Sequence, residues 1–231
     1  IAARYGSVKY PDSVLQTDPE SRWNGDLTEK KSGLNLLKYM EAWNEEKWWL
    51  KGTEGYIEPE TMAAMMSACY DGHENALGAN VGIKTADPSM TVVMPGLTDF
   101  DMNYILAMEI WFRANRKDKK WPCDIANIHH YSNTGNKKGQ HPAQWVASGG
   151  CPPSEDKNFD SAKTFVDYFA GKGLKLWITE CGYDTKAPSQ MHIVGKNGKS
   201  DEQAQSDALI ETIKKYKEYG VDAVFIFNIH D

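Results

Sequence analysis

Short apolar segments of strand length alternate with longer helical patterns along the chain, and this alternation limits the fold more than any other feature. Strand-like segments lie at 36–44, 91–95, 124–131, 174–179 and 222–229. Between them, Glu58-Pro59-Glu60 opens a helix over 58–70, with proline and acids in its first turn. Asp99 is the expected cap of a helix over 99–115, with Tyr104, Ile105, Met108, Trp111 and Phe112 on one face. Further helices are expected over 159–170 and 201–219, the last closed by Gly220. Strands of this length alternating with helices of ten or more residues predict an α/β fold with a parallel sheet.

The loops that follow strands, at 46–57, 132–157 and 182–199, are long and carry the unusual residues. Helix-to-strand links are short, as at Gly171-Lys172-Gly173. That asymmetry predicts a (β/α)8 TIM barrel, whose active site is built from loops at the carboxyl ends of its strands. A doubly wound sheet is the competing architecture, but no glycine-rich phosphate loop follows any strand here. The chain supplies five strands where a closed barrel needs eight. It opens at Ile1-Ala2-Ala3-Arg4-Tyr5-Gly6, read as a helix end closed by glycine, and stops on a strand. Residues 1–231 are therefore expected to form the larger, C-terminal part of one catalytic barrel domain, strands four to eight, with the first three strands outside the chain.

Composition narrows the partners. A net charge of −6 opposes nucleic acid and anionic membrane surfaces, which call for a basic face. No apolar run approaches the ~20 residues of a membrane span. Eight tryptophans exceed what a core of this size demands, and indole rings suit partly wet surfaces that grip sugars through their C–H faces. Packing between helices and strands is the commoner use of any single one. Cys69, Cys123, Cys151 and Cys181 lack metal or redox spacing. Cys181 is expected to be buried and reduced, and pairing of Cys123 with Cys151 is left open.

Two glutamates carry the chemistry. Glu45 ends the first strand-like segment and Glu180 follows the fourth. Brought together across a barrel mouth, they form the carboxylate pair that glycosidic hydrolysis requires: roughly 5 Å apart for retention, 6.5–9.5 Å for inversion. Glu41 shares the parity of Glu45 and is expected to be a deeper, paired structural carboxylate. His129 and His130, adjacent on a strand, point to opposite faces and so do not share a metal. Asp71, His73 and Glu74 read as a polar turn, and residues 117–120 as a solvated charge run.

These segments resemble glycoside hydrolase clan A. Trp43-Asn44-Glu45 resembles its strand-four segment, Ile128-His129-His130-Tyr131 its strand-six segment and Trp177-Ile178-Thr179-Glu180 its strand-seven segment. Arg4-Tyr5-Gly6 followed by Glu41-Ala42-Trp43-Asn44-Glu45 is most similar to glycoside hydrolase family 39. The resemblance implies a retaining glycosidase with Glu45 as acid/base and Glu180 as nucleophile. It implies that Asn44 binds the sugar 2-hydroxyl and that Tyr131 orients Glu180. His129, in parity with Tyr131, should face the same site, and Trp48, Trp49 and Trp177 should contact the sugar. Two positions depart from the clan pattern: Glu46 stands where proline is usual, and 227–231 lacks the tryptophan common at the last strand.

The expected activity is thus hydrolysis of a polysaccharide or glycoside by a secreted or cell-envelope enzyme that needs no cofactor and no metal. The alternative is a non-catalytic carbohydrate-binding or scaffold protein on a degenerate barrel. Retention of Asn44, Glu45 and Glu180 opposes it. A metal-dependent hydrolase would need clustered His and Asp at strand ends, where only His129 and Asp231 stand.

Overall fold

The computed structural model describes residues 1–15, 30–47, 50–79, 81–135, 149–187 and 189–227. Its strands are β1 (Tyr39–Glu41), β2 (Thr91–Val93), β3 (Leu97–Thr98), β4 (Ile125–His129), β5 (Lys175–Cys181) and β6 (Ala223–Ile226). Its helices are α1 (Ala2–Tyr5), α2 (Pro59–Asp71), α3 (Ile83–Ala86), α4 (Met102–Asn115), α5 (Ser161–Ala170) and α6 (Asp201–Tyr219). The sheet runs β1-β2-β4-β5-β6, with β3 beside β4, and every pairing is parallel. This is an α/β half-barrel: among the described residues, β1 and β6 are each paired on one side only.

Local chemistry explains the helices. Pro59 occupies the first turn of α2, and Gly72 ends it in the left-handed conformation at φ 66°. In α6 the Ser200 hydroxyl and the Gln203 side chain exchange hydrogen bonds with each other's backbone, and Gly220 closes the helix at φ 88°. The cap of α4 is Asp101, whose carboxylate accepts from the Asn103 and Tyr104 amides, and not the expected Asp99. Asp99 lies two residues earlier with φ 61°, where its carboxylate serves a different network. The strand ladders are shorter than the sequence patterns. The segment at 36–44 pairs only over Tyr39–Glu41, and β3 is too short for any periodicity to announce it.

Two faces divide the labour. Leu176, Ile178, Ala126 and Ile128 turn outward onto α2, α4, α5 and α6, where they meet buried Met62, Met108, Phe112, Phe165, Phe169 and Tyr216. Each such phenyl removed to alanine would cost about 3–5 kcal/mol. The opposite face carries Tyr39, Asn127, His129, Trp177 and Thr179. Tyr39 on β1 and Trp177 on β5 are separated in the sheet by β2 and β4, yet their rings are 5.3 Å apart. The sheet must therefore curl strongly about this inner face, which brings the carboxyl ends of β1 and β5 together. All four cysteines are free, so Cys123 and Cys151 do not pair. Burial pushes the Cys181 thiol up to about 12, as suits an inert core sulfur. No described helix is long and apolar enough to cross a membrane.

Candidate active site

His129 is the hub at the curled end of the sheet. Its ring is almost wholly buried, with side-chain exposure of 1%. Nδ1 lies 2.9 Å from Glu45 Oε1 and 3.6 Å from Glu180 Oε2. Nε2 lies 3.1 Å from Thr179 Oγ1 and 3.6 Å from Glu41 Oε1. Burial alone would favour the neutral ring, but Glu41, Glu45 and Glu180 outweigh it and raise the imidazole to about 9. At neutral pH both ring nitrogens are therefore donors, and the imidazolium sits among three carboxyl groups.

A register shift makes this arrangement possible. Strict alternation along β5 would turn Glu180 away from the face that carries Trp177 and Thr179. The β4–β5 pairing slips after Ile128, so that His129 stands opposite Glu180. Such an irregularity re-aims a side chain, and here Thr179 and Glu180 both reach His129. Asn127 steadies the slip: its amide donates to Thr179 Oγ1 at 2.6 Å and its carbonyl accepts the Thr179 N–H at 3.1 Å.

Tyr131 completes the surroundings of Glu180, donating its hydroxyl to Oε2 at 2.8 Å. Burial and the Glu180 carboxylate raise that phenol, so it remains a donor at any ordinary pH. Glu45 and Glu180 retain side-chain exposures of 15% and 22%, which leaves both reachable from solvent. One carboxylate oxygen of each lies within 4.8 Å of the other and of His129. Among the described residues, these three are also the group that could hold a metal ion.

Of the other expected site residues, Asn44 is exposed on the loop that carries Glu45. Trp177 lies deeper, three residues before Glu180, with its ring against Tyr39 and Phe225 at 5.3 and 5.4 Å. Trp48, Trp49 and Asp231 fall outside the described residues. Asp71 pairs bidentately with Arg116, and Glu74 accepts the Lys117 and Asp118 amides, so that polar turn is a structural clamp.

Two features of the site gave no sequence signal. The first is Gly96, whose amide donates to Glu41 Oε1 at 3.0 Å. A Cβ there would stand 1.9 Å from His129 Nε2. Gly96→Ala must push the ring away from Glu45 or strain the loop, at about 1–3 kcal/mol. Thermal unfolding together with kcat should register both effects, and a variant with unchanged stability and turnover would contradict this packing.

The second is the reverse side of β4. His130 is buried, with Nδ1 2.8 Å from Asp99 Oδ1 and Nε2 3.0 Å from Asp156 Oδ2. Burial opposes its charge, but Asp156 and Asp99 outweigh that and raise the ring to about 10. Asn158 donates to the same Asp99 oxygen at 2.9 Å. The backbone ties this cluster to the site, since Asp99 N–H donates to His129 O and His130 N–H donates to Glu180 O.

No protein-family model and no curated protein matches the chain. Solved structures of low similarity do. One is AbfB, a family 51 α-L-arabinofuranosidase from Bifidobacterium longum, at 14% identity and a TM-score of 0.42 over 91% of this chain and 42% of that one. A glucosidase from Croceicoccus marinus aligns at 12% identity and 0.43 over 97% of this chain and 51% of that one. A β-glucuronidase from Ruminococcus gnavus aligns at 15% identity and 0.30 over 74% and 29%. The chain thus spans about half or less of the length of each.

Proposed function

We propose that the chain is the C-terminal larger part of a (β/α)8 glycosidase domain and that Glu45 and Glu180 hydrolyse an O-glycosidic bond with retention. The observation that carries this reading is the meeting of two reachable carboxylates from distant strand ends within 4.8 Å. Oxygens that approach this closely support the ~5–5.5 Å carboxyl separation of a retaining pair over the wider spacing that admits an inverting water.

In the first step Glu180 attacks the anomeric carbon, the bond to the leaving oxygen breaks, and Glu45 gives that oxygen its proton. In the second, ionised Glu45 takes a proton from water, the water oxygen attacks the anomeric carbon, and Glu180 departs. The Tyr131 hydroxyl donates to Glu180 Oε2 and, with the His129 ring beside it, aims that carboxylate. His129 Nδ1–H occupies Oε1 of Glu45, which leaves Oε2 to carry the transferable proton. Asn44, exposed beside Glu45, would bind a sugar hydroxyl.

A panel of aryl glycosides and polysaccharides, assayed with the full-length protein, tests the reading and supplies the sugar. Turnover on at least one member, unaffected by EDTA, is expected. Turnover lost in EDTA and restored by Zn2+ would instead make Glu45, His129 and Glu180 a metal site. Binding without turnover on every member would favour a carbohydrate-binding protein.

A further inference from the structure

The residue after Glu45 is also a glutamate, and the structure separates the two sharply. Glu45 faces His129 and solvent, while Glu46 turns inward and is 1% exposed. Its Oε2 accepts the Thr98 N–H at 2.9 Å, on the short strand β3. Its main-chain carbonyl accepts the Ile57 N–H at 3.0 Å, and the Ile57 carbonyl is held in turn by the Tyr104 hydroxyl of α4 at 2.7 Å. Lys47 follows with φ 57°, so the chain turns sharply as soon as Glu46 has been gripped. Thr98 stands opposite His129 in the β3–β4 register, and the next amide, Asp99 N–H, donates to the His129 carbonyl at 2.7 Å. Glu46 therefore links the loop bearing Glu45 to the backbone beside His129, the Glu45 partner, through two hydrogen bonds.

A buried carboxylate is costly to keep unless its oxygens are used. Here it accepts a backbone amide that would otherwise be left without that partner in a desolvated position, and the same bond fixes where Glu45 begins. We propose that Glu46 is a positioning residue for Glu45: by capping Thr98 N–H it holds the loop so that the Glu45 carboxyl lies against His129 and toward the leaving oxygen. This rests on the assignment of Glu45 as the acid. It adds that the second glutamate of the pair does no chemistry of its own.

A general acid matters most when the leaving group is poor, so misplacing Glu45 has a signature that loss of folded protein lacks. Take the sugar identified by the panel as its phenyl and its 2,4-dinitrophenyl glycoside. Glu46→Ala is expected to lower kcat/KM, which reports the step in which the aryl oxygen leaves, about 100-fold on the phenyl glycoside and less than about 3-fold on the dinitrophenyl glycoside. Glu46→Gln keeps an acceptor oxygen at the same reach and should recover most of the phenyl activity. Glu46→Asp is one methylene short of Thr98 and should resemble Glu46→Ala; it carries the test if Glu46→Ala does not fold. Equal losses on the two glycosides, or a Glu46→Gln variant as impaired as Glu46→Ala, would overturn the proposal. If Glu45→Gln itself shows no preference for the better leaving group, the assignment of Glu45 fails. If Glu45→Gln shows it and the Glu46 variants do not, only the positioning role fails.

Discussion

Glu180→Gln is expected to lower kcat on any glycoside the protein turns over by about 10^4-fold or more, because the amide cannot attack the anomeric carbon. The side chain keeps its shape and can still accept the Tyr131 hydroxyl, so thermal stability should move little. Glu45→Gln should lower kcat/KM by about 10²–10⁴-fold, the range of a single proton-transfer residue, and by less with a good leaving group. Steady-state kinetics beside a melting curve separates these losses from unfolding. Undiminished turnover by Glu180→Gln would remove the nucleophile from the mechanism. Of the three carboxyl groups around His129, Glu41 is assigned neither role. Its Oε1 accepts the Gly96 N–H and it faces Nε2, on the opposite side of the ring from Glu45 and Glu180.

The largest expected effect on stability lies behind the site. His130 is a buried cation held between Asp99 and Asp156, and the Asp156 side chain has no exposed surface. Removing one partner of a buried ion pair costs about 3–5 kcal/mol. Asp99 still faces the ring in Asp156→Ala, so the lower end, about 3 kcal/mol, is expected. The pH dependence follows from the raised pKa. A histidine held above its unfolded value of ~6.5 contributes its full stability below that pH and loses it as the pH climbs through the folded value. For His130 the window runs from about 6.5 to about 10, and for His129 to about 9. Urea unfolding at pH 7 and pH 10.5 should show the gap between wild type and Asp156→Ala narrowing at the higher pH. A gap that stays constant would mean that His130 is neutral in the folded protein. Because His130 N–H and Asp99 N–H hold the backbone at Glu180 and His129, the same variant should also lose turnover.

Much of this was legible in the chain. Short apolar segments set between patterns of 3.6-residue period located five of the six strands and the long helices, because a parallel strand covered on both faces reads as a continuous apolar run. The two-residue β3 has no room for a period. Glu45 and Glu180 could be picked out because strand ends at one edge of a parallel sheet must converge if the sheet curls; Tyr131 followed from the resemblance of its segment to the clan A strand-six segment, and His129 from its parity with Tyr131. What stayed hidden depends on contacts between distant residues. Parity along β5 would place Glu180 on the wrong face, and only the register slip against β4 corrects it. Gly96 reads as an ordinary turn glycine until His129 is seen against it. Glu46 reads as a solvated loop residue, the usual state of glutamate, and only the fold brings its carboxylate to the Thr98 amide on β3. Asp99 and Asp101 are both plausible caps by residue type, and the need of His130 for a carboxylate takes the first away from α4.

The central claim is that Glu180 forms a covalent bond to the sugar while Glu45 manages the proton. It is tested most directly by trapping that intermediate. The protein is incubated with the 2-deoxy-2-fluoro glycosyl fluoride of the sugar identified by the panel, which slows the second step more than the first, and the label is mapped by peptide mass spectrometry. One sugar on the peptide carrying Glu180, absent from Glu180→Gln, is the predicted result. A label on another residue, or no label while substrate is hydrolysed with inversion, would contradict it.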